Sequence, residues 1–321
     1  MFYDLVARRY WFFLVSAVII IPGIVSLLLP GGLRPGIDFT SGSIMTLRFE
    51  RLVQQSTLRE AYGEFGHHEA IVQQADDGTF IVRTLPLAAE ARTEEGEVQA
   101  ASERQRVEDE LARRFGPVTV LSFDQVSPLV AAEIVRNSVL AVMAACAGIL
   151  LYLWFAFRQV PESWRFGVCA VVALIHDTLV VVGIFSILGR LFSIELDALF
   201  ITAVLTVIGF SVHDTIVVFD RVRENSIRHL GEPFEDVVNH SLMQTMGRSL
   251  TTSLTVLLTL FTLFLFGGVT IRSFVLALLV GITTGTYSSI FNASMLLVVW
   301  EKGELGRLIG RRPPQPAFGR A

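Results

Sequence analysis

Six long apolar segments constrain this chain more than any other feature of its sequence. Each reaches the roughly 20 residues that an α-helix needs to cross a bilayer. Over the whole chain, 52% of the residues are hydrophobic, only 17% are charged and the mean hydropathy is +0.57, whereas soluble domains carry about 25% charged residues. The sequence therefore predicts a polytopic α-helical membrane protein with transmembrane helices at 11–30, 133–155, 167–188, 197–219, 247–266 and 273–299.

The basic residues between these spans indicate the orientation of the chain. If the N-terminus is cytoplasmic, arginines crowd the cytoplasmic segments, while the two short outer loops hold only Arg190 and Arg272. Cytoplasmic loops carry such an excess of Lys and Arg. We therefore predict that both termini are cytoplasmic, with four regions in sequence: an N-terminal end and first span (1–30), an external domain (31–132), a five-helix bundle with a cytoplasmic loop at 220–246 (133–300), and a cytoplasmic tail (301–321).

The predicted external domain has the pattern of a small α+β fold. Asp77-Gly78 is a turn signal between two short alternating segments, as expected for a hairpin. The order βαββαβ matches the ferredoxin-like motif, and no catalytic constellation accompanies it. The predicted strands are 42–49, 69–74, 79–84 and 118–124, and the predicted helices are 56–66 and 97–115.

Two further segments carry structural signals. In the cytoplasmic loop, Val222 to Leu230 is predicted to extend the fourth span. A second, amphipathic helix is predicted to open at Glu232-Pro233 and to lie at the membrane surface or against a neighbouring subunit. Gly281 and Gly285 form a small-residue motif that predicts close packing of the last two spans.

Cysteine content and net charge exclude several function classes. Cys146 and Cys169 both lie in apolar segments, which argues against a disulfide framework or a zinc site. The formal net charge of −4 gives no indication of nucleic-acid binding. We therefore predict no metal and no nucleic-acid partner.

Ionisable residues inside the apolar segments carry the functional signal. Asp214 lies in the fourth span and Arg248 near the start of the fifth, so that antiparallel helices bring them to similar depth. An aspartate can take up a proton, whereas an arginine stays charged. The two are predicted to form a proton-coupled switch or a structural ion pair, and intramembrane charges favour the first.

A repeated motif places more titratable groups in the membrane. HDTLVV begins at His176 and HDTIVV at His213. Two His and two Asp are metal-ligand types, but adjacent side chains diverge by about 100° around a helix. We therefore predict a polar relay or a satisfied packing network for His176 and Asp177, and His213 stays undecided as a possible further member of the relay.

Several segments spread over nearly the whole chain carry a family resemblance. They are FYDLVARRYWFF, GIDFTSGS, LIHDTLVVVG, IGFSVHDTIVVFDRVREN, MGRSLTTS and SFVLALLVGITTGTYSSIFNAS. Together they resemble the SecD/SecF family of bacterial protein-export membrane subunits, within the RND transporter superfamily. The resemblance implies one six-span half of an RND-type assembly in the bacterial cytoplasmic (inner) membrane.

The resemblance also implies function and partners. The chain would pair with SecD, associate with the SecYEG channel and YajC, and use the proton-motive force late in the export of unfolded preproteins through the lipid bilayer. It would be no enzyme and would need no cofactor besides coupling protons. Asp214 and Arg248 would form the proton path, completed by a SecD carboxylate, and the external domain would move.

Two other functions stay open from the residues alone. Half of an RND exporter of small molecules or lipids is one, although such exporters usually have larger external domains. A membrane receptor or scaffold with a ferredoxin-like sensor is the other, and it would not require charged groups at matched depth.

Overall fold

The computed structural model describes residues 4–76, 78–88, 91–92, 98–100, 102–158, 164–229 and 231–304. In this part of the chain, six helices are long and apolar enough to cross a membrane, which confirms the predicted polytopic class. The chain divides into two compact units, one formed by residues 1–34 and 140–321 and the other by residues 35–139. Asp77 of the predicted turn, Leu230 of the predicted helix extension and the tail from 305 onward lie outside the described residues.

The helices and strands follow one another in a simple order. In sequence they are a 3₁₀ turn (Val6–Arg8), α1 (Arg9–Leu28), α2 (Ile37–Thr40), β1 (Gly42–Phe49), α3 (Gln55–Glu64), β2 (Ile71–Asp76), β3 (Thr79–Thr84), β4 (Ala91–Arg92), β5 (Val98–Ala100), α4 (Glu103–Phe115), β6 (Val118–Val126), α5 (Pro128–Phe157), α6 (Trp164–Phe192), α7 (Ala198–Arg228), α8 (Phe234–Phe266), α9 (Val269–Tyr287), a π-helical segment (Ser288–Ala293) and α10 (Ser294–Glu301). The sixth span therefore consists of α9, the π segment and α10.

The smaller unit is an α+β fold around an antiparallel sheet. The strand order is β2-β3-β1-β6, and each neighbouring pair is antiparallel. Leu58 and Tyr62 of α3 and Val107 and Leu111 of α4 join one apolar core with the strands. This arrangement confirms the predicted ferredoxin-like fold.

The second helix of this unit begins later than predicted. We expected it to start at residue 97, but α4 starts at Glu103. The Ser102 hydroxyl accepts a hydrogen bond from the Gln105 amide, and such an N-cap satisfies one of the free amides of the first turn. Within the predicted helix, Val98–Ala100 form β5, which pairs with β4, so strand pairing replaces helix there. Residues 97 and 101 of the predicted helix lie outside the described residues.

The fifth span also differs from the prediction. We predicted a separate surface helix after Glu232, but α8 runs without a break from Phe234 to Phe266. No proline interrupts the segment, and its early apolar residues Val237, Val238 and Leu242 are buried. Val238 and Leu242 share an apolar cluster with residues of α7. Packing against α7 therefore buries the amphipathic face that we had assigned to the membrane surface.

Glycines allow the spans of the membrane unit to approach closely. A Cβ added at Gly23 of α1 would lie 2.9 Å from the Gly183 Cα of α6, so these backbones touch. Gly281 and Gly285, which we expected to pack the last two spans together, face α7 instead. Added Cβ atoms there would meet Val207 at 2.2 Å and Ser211 at 3.2 Å. Small residues permit such approach between membrane helices.

Candidate functional site

Asp214 is a buried carboxylate in the middle of an apolar helix. It lies on α7 with 3% of its surface exposed, and its Oδ2 atom has no hydrogen-bond partner among the described residues. A buried charge without a partner is costly, and more so in a membrane. This oxygen can therefore take up a proton, which removes the cost of an unpaired buried charge.

Arg248 does not supply that donor in this structure. Its side chain on α8 is exposed, and no Asp214 oxygen lies within 4.0 Å of its guanidinium nitrogens. The predicted ion pair between Asp214 and Arg248 is thus not formed within the chain. Only 11% of the most apolar stretch of α8 is buried. Arg248 therefore lies on a helix that the rest of the chain leaves largely uncovered.

His213 also stands apart from the buried groups. Its side chain is exposed. Adjacent side chains on a helix diverge by about 100°, so His213 points away from the buried face that carries Asp214. Among the described residues it makes no hydrogen bond. The structure does not bring His213 into the polar relay that its motif suggested.

The first copy of the motif lies in a buried polar network. Asp177 on α6 is completely buried. Its Oδ1 lies 2.9 Å from His176 Nδ1, and its Oδ2 accepts a hydrogen bond from Ser211 Oγ of α7 at 2.5 Å. His176 Nε2 lies 3.0 Å from Asn292 Nδ2 in the π segment. Asn292 in turn exchanges hydrogen bonds of 2.8 and 3.0 Å with Ser16 of α1. The network thus joins four of the six spans.

A second set of hydroxyls connects α7 with the sixth span. Thr215 donates to Ser289 Oγ at 3.0 Å, and Ser289 donates to the Ser211 carbonyl at 3.1 Å. Ser211, Asp214 and Thr215 are spaced three and four residues apart, which places them on one face of α7. The face that carries Asp214 is therefore bonded to α6 on one side and to the π segment on the other.

Sequence reasoning missed the partners that complete this network. Ser16 and Ser211 are common residue types without a motif of their own. Asn292 follows the small-residue motif of the last span, where the sequence predicts only packing between helices. Ser211 carries the clearest signal, because it lies three residues before Asp214.

Arg190 fixes the end of the first span. The sequence predicts Arg190 in an outer loop, whereas the structure places it in the last turn of α6. Its guanidinium donates to the carbonyls of Ser26, Leu29 and Pro30 at 3.0, 2.6 and 3.0 Å. These carbonyls are left free by the end of a helix and attract positive charge. Arg190 therefore caps α1 from a neighbouring span.

Ion pairs join the opposite end of the bundle, where α1 begins. Arg9 donates to Glu235 of α8 at 3.1 Å and to Glu304 at 2.6 Å. Lys302 also pairs with Glu235. Within the described residues, no group of three or more His, Cys, Asp or Glu is placed to hold a metal ion.

Six spans, a ferredoxin-like unit and ionisable groups inside the membrane define a multi-pass membrane protein of the transport type. Comparison with known proteins is more specific. A family model described as protein export membrane protein SecD/SecF, C-terminal, matches residues 106–303, and the SecD/SecF GG motif matches residues 31–51. The chain therefore belongs to the SecD/SecF family, whose members are proteins of the bacterial inner membrane.

Individual relatives agree with this assignment. The protein translocase subunit SecF of Thermobaculum terrenum is 50% identical over 315 residues, which cover 98% of this chain and 99% of the relative. The protein translocase subunit SecF of Anaerolinea thermophila is 42% identical over 305 residues, or 94% and 95% of the two chains.

Two solved structures share the fold. The crystal structure of SecDF, a translocon-associated membrane protein from Thermus thermophilus, matches with a TM-score of 0.77 and 35% identity, covering 94% of this chain and 39% of that one. A SecDF structure in a super-membrane-facing form matches with a TM-score of 0.62 and 33% identity, covering 97% and 40%. The chain thus corresponds to about two fifths of each SecDF chain.

Proposed function

We propose that this chain is a SecF-type subunit of the protein translocase, which uses the proton-motive force to assist late steps of preprotein export. The observation that carries the proposal is the buried Asp214 carboxylate, whose Oδ2 has no hydrogen-bond partner among the described residues. A carboxyl group in this position can exist as a neutral acid or as a charged group paired with a cation. Exchange between these states is the elementary step of proton coupling.

We propose that a partner chain completes the proton site. Arg248 is exposed on a membrane span, where an arginine requires a counter-charge. A carboxylate of a SecD-type partner would supply it. SecDF of Thermus thermophilus supports this proposal, because it is a longer protein that includes a region similar to this chain. The two are 40% identical over 282 residues, which cover 84% of this chain and 35% of SecDF.

We further assign the SecYEG channel, YajC and an unfolded preprotein as partners, with both termini in the cytoplasm. The α+β unit would then lie outside and handle the emerging chain. The coupling ion is the proton, without an organic cofactor, and we assign no hydrolytic or redox reaction to the chain. The named relatives are translocase subunits, which favours export of proteins over export of small molecules or lipids.

The direct test is Asp214→Asn in a complex that contains this chain, its SecD partner and the channel. Asparagine keeps the size of the side chain but takes up no proton at neutral pH. We expect stimulation of preprotein export by a proton gradient to disappear while the complex still assembles. Asp220→Asn is the matched control, because Asp220 is an exposed aspartate on the same helix. Full stimulation in Asp214→Asn would contradict the proposal.

Purification of the complex tests the partners. We expect tagged chain to retain SecD and the channel. A dimer of this chain alone, with a drug-sensitive phenotype on deletion, would instead support the exporter.

A further inference from the structure

The two HDT motifs of this chain occupy different environments. His213 is exposed, and Asp214 Oδ2 has no hydrogen-bond partner in the part of the chain that the structure describes. In the first motif, His176 and Asp177 bond to each other and to groups from α7 and the π segment. The mechanism proposed above uses only the second motif. Asp177 is therefore fully buried and His176 partly buried, and the mechanism proposed above gives neither of them a role.

Apart from the Asp177 carboxylate, which only accepts while it is ionised, the groups in the first network can reverse the direction of their hydrogen bonds. A serine hydroxyl donates and accepts, an asparagine amide presents either NH₂ or oxygen after rotation, and an imidazole nitrogen can be a donor or an acceptor. With Nδ1–H directed at Asp177, His176 Nε2 accepts from the Asn292 amide. If Nε2 gains a proton, the Asn292 amide must turn its oxygen toward His176. Ser16 contacts both Asn292 Nδ2 and Oδ1, so it accommodates either orientation.

We propose that the His176–Asp177 pair is a second proton-binding site, distinct from Asp214, and that Asn292 transmits its occupancy to the π segment and α1. Uptake forms one N–H bond at Nε2 with a proton from water, and the net charge of the pair changes from −1 to 0. Its use in export rests on the function proposed above, whereas proton binding itself does not.

The surroundings of the pair suit such a role. Ser211 approaches it from α7, Asn292 from the π segment and Ser16 from α1 through Asn292. These groups are uncharged, and among the described residues no lysine, arginine or second carboxylate bonds to the pair. Its charge is therefore set by its own proton.

The network also provides a route to Asp214. Ser211 donates to Asp177, and its carbonyl accepts from Ser289 of the π segment. Ser211 lies on the same face of α7 as Asp214. π-Helical segments are frequent at functional sites and mark places where a helix deforms. Three hydrogen bonds link Asn292 to Ser211 by way of His176 and Asp177, so a change at Asn292 reaches the helix face that carries Asp214. In this role Asn292 and Ser211 are positioning residues.

The test is NMR of ¹⁵N-histidine-labelled full-length chain in lipid nanodiscs over about pH 5 to 9, the range in which imidazoles titrate. His176→Gln assigns the signal among the six histidines. We expect the Nε2 resonance of His176 to change with pH, this change to be altered in Asp177→Asn, and the wild-type change to persist in Asp214→Asn. A His176 resonance that stays constant, or that is unaffected by Asp177→Asn, would overturn the proposal.

A functional arm separates proton binding from packing. Glutamine at position 176 retains a donor and an acceptor but takes up no proton, so His176→Gln should reduce gradient-stimulated export about tenfold in the assembled complex. Thr178→Val is the control, because among the described residues the Thr178 hydroxyl bonds only to the Leu174 carbonyl of its own helix. Wild-type export by His176→Gln at every pH would show that the pair serves packing alone. If His176 titrates while Asp214→Asn retains full export, the function proposed for Asp214 fails and the second site stands.

Discussion

Among single residues, the two buried aspartates differ in what their oxygens contact. Both Asp177 oxygens have hydrogen-bond partners, whereas Asp214 Oδ2 has none in the described chain. A buried group that loses its partner costs about 1–3 kcal/mol. Asp177→Ala leaves His176 and Ser211 without their acceptor, so we expect it to lower the free energy of unfolding by about that amount.

Thermal unfolding in detergent measures the difference, with Asp214→Ala as the matched variant. We expect Asp214→Ala to lower the midpoint of thermal unfolding less than Asp177→Ala, because it leaves fewer groups without a hydrogen-bond partner. Equal losses would mean that the hydrogen bonds of Asp177 contribute nothing measurable to the bundle.

The ionisation of Glu304 is expected to make the stability of the protein depend on pH. Partial burial alone would raise the pKa of its carboxyl group, but hydrogen bonds from Tyr10 and Arg9 outweigh burial and lower that pKa. A lowered pKa means that the stabilisation is present above the ordinary carboxyl pKa and is lost as the pH falls through the lowered one. We expect Glu304→Gln to reduce stability at pH 7 and to lose less on acidification than wild type. Measurements of unfolding at pH 7 and about pH 4 test this prediction. Glu50→Gln, at an exposed site, is the control. The prediction is wrong if the stability of Glu304→Gln and of wild type depends on pH in the same way.

At the scale of helices, the crossing of α1 and α6 depends on two glycines in backbone contact. A side chain at Gly23 would overlap Gly183, and overpacked sites commonly cost about 1–3 kcal/mol. We expect Gly23→Leu to separate the two helices and to lower the unfolding midpoint and the yield of folded protein. Gly148→Leu on α5 is the control, because an added Cβ there meets no atom within 4 Å. Comparable yields and midpoints for the two variants would show that the crossing is dispensable.

Prediction from sequence succeeded where one local property decides the structure. The six spans follow from apolar length, and the ferredoxin-like order follows from alternation and turn residues. The continuous α8 was missed because its amphipathic start is buried by α7, a tertiary contact that the pattern does not encode. The π segment shifts the helical period by one residue without a change in composition, so the sequence does not indicate that Asn292 bonds to His176. The relation of Asp214 to Arg248 depends on helix rotation, which residue spacing does not fix.

For the whole molecule, the exposed Arg248 sets the requirement for a partner. If a carboxylate of another chain pairs with it, Arg248→Met should leave the complex assembled but remove gradient-stimulated export, whereas Arg248→Lys should retain part of it through its charge. Export assays on the purified complex test both, with Arg113→Met in the exposed part of α4 as control. Unchanged export with Arg248→Met would favour a receptor or scaffold.

In the assembled translocase, we propose, Asp214 carries protons across the membrane. Proton flux into proteoliposomes that contain the complex, with an imposed gradient and translocating preprotein, measures this directly. We predict that wild-type complex conducts protons and that Asp214→Asn lowers the flux to that of liposomes without the complex, while Asp220→Asn does not. Undiminished flux with Asp214→Asn would show that Asp214 does not carry the protons.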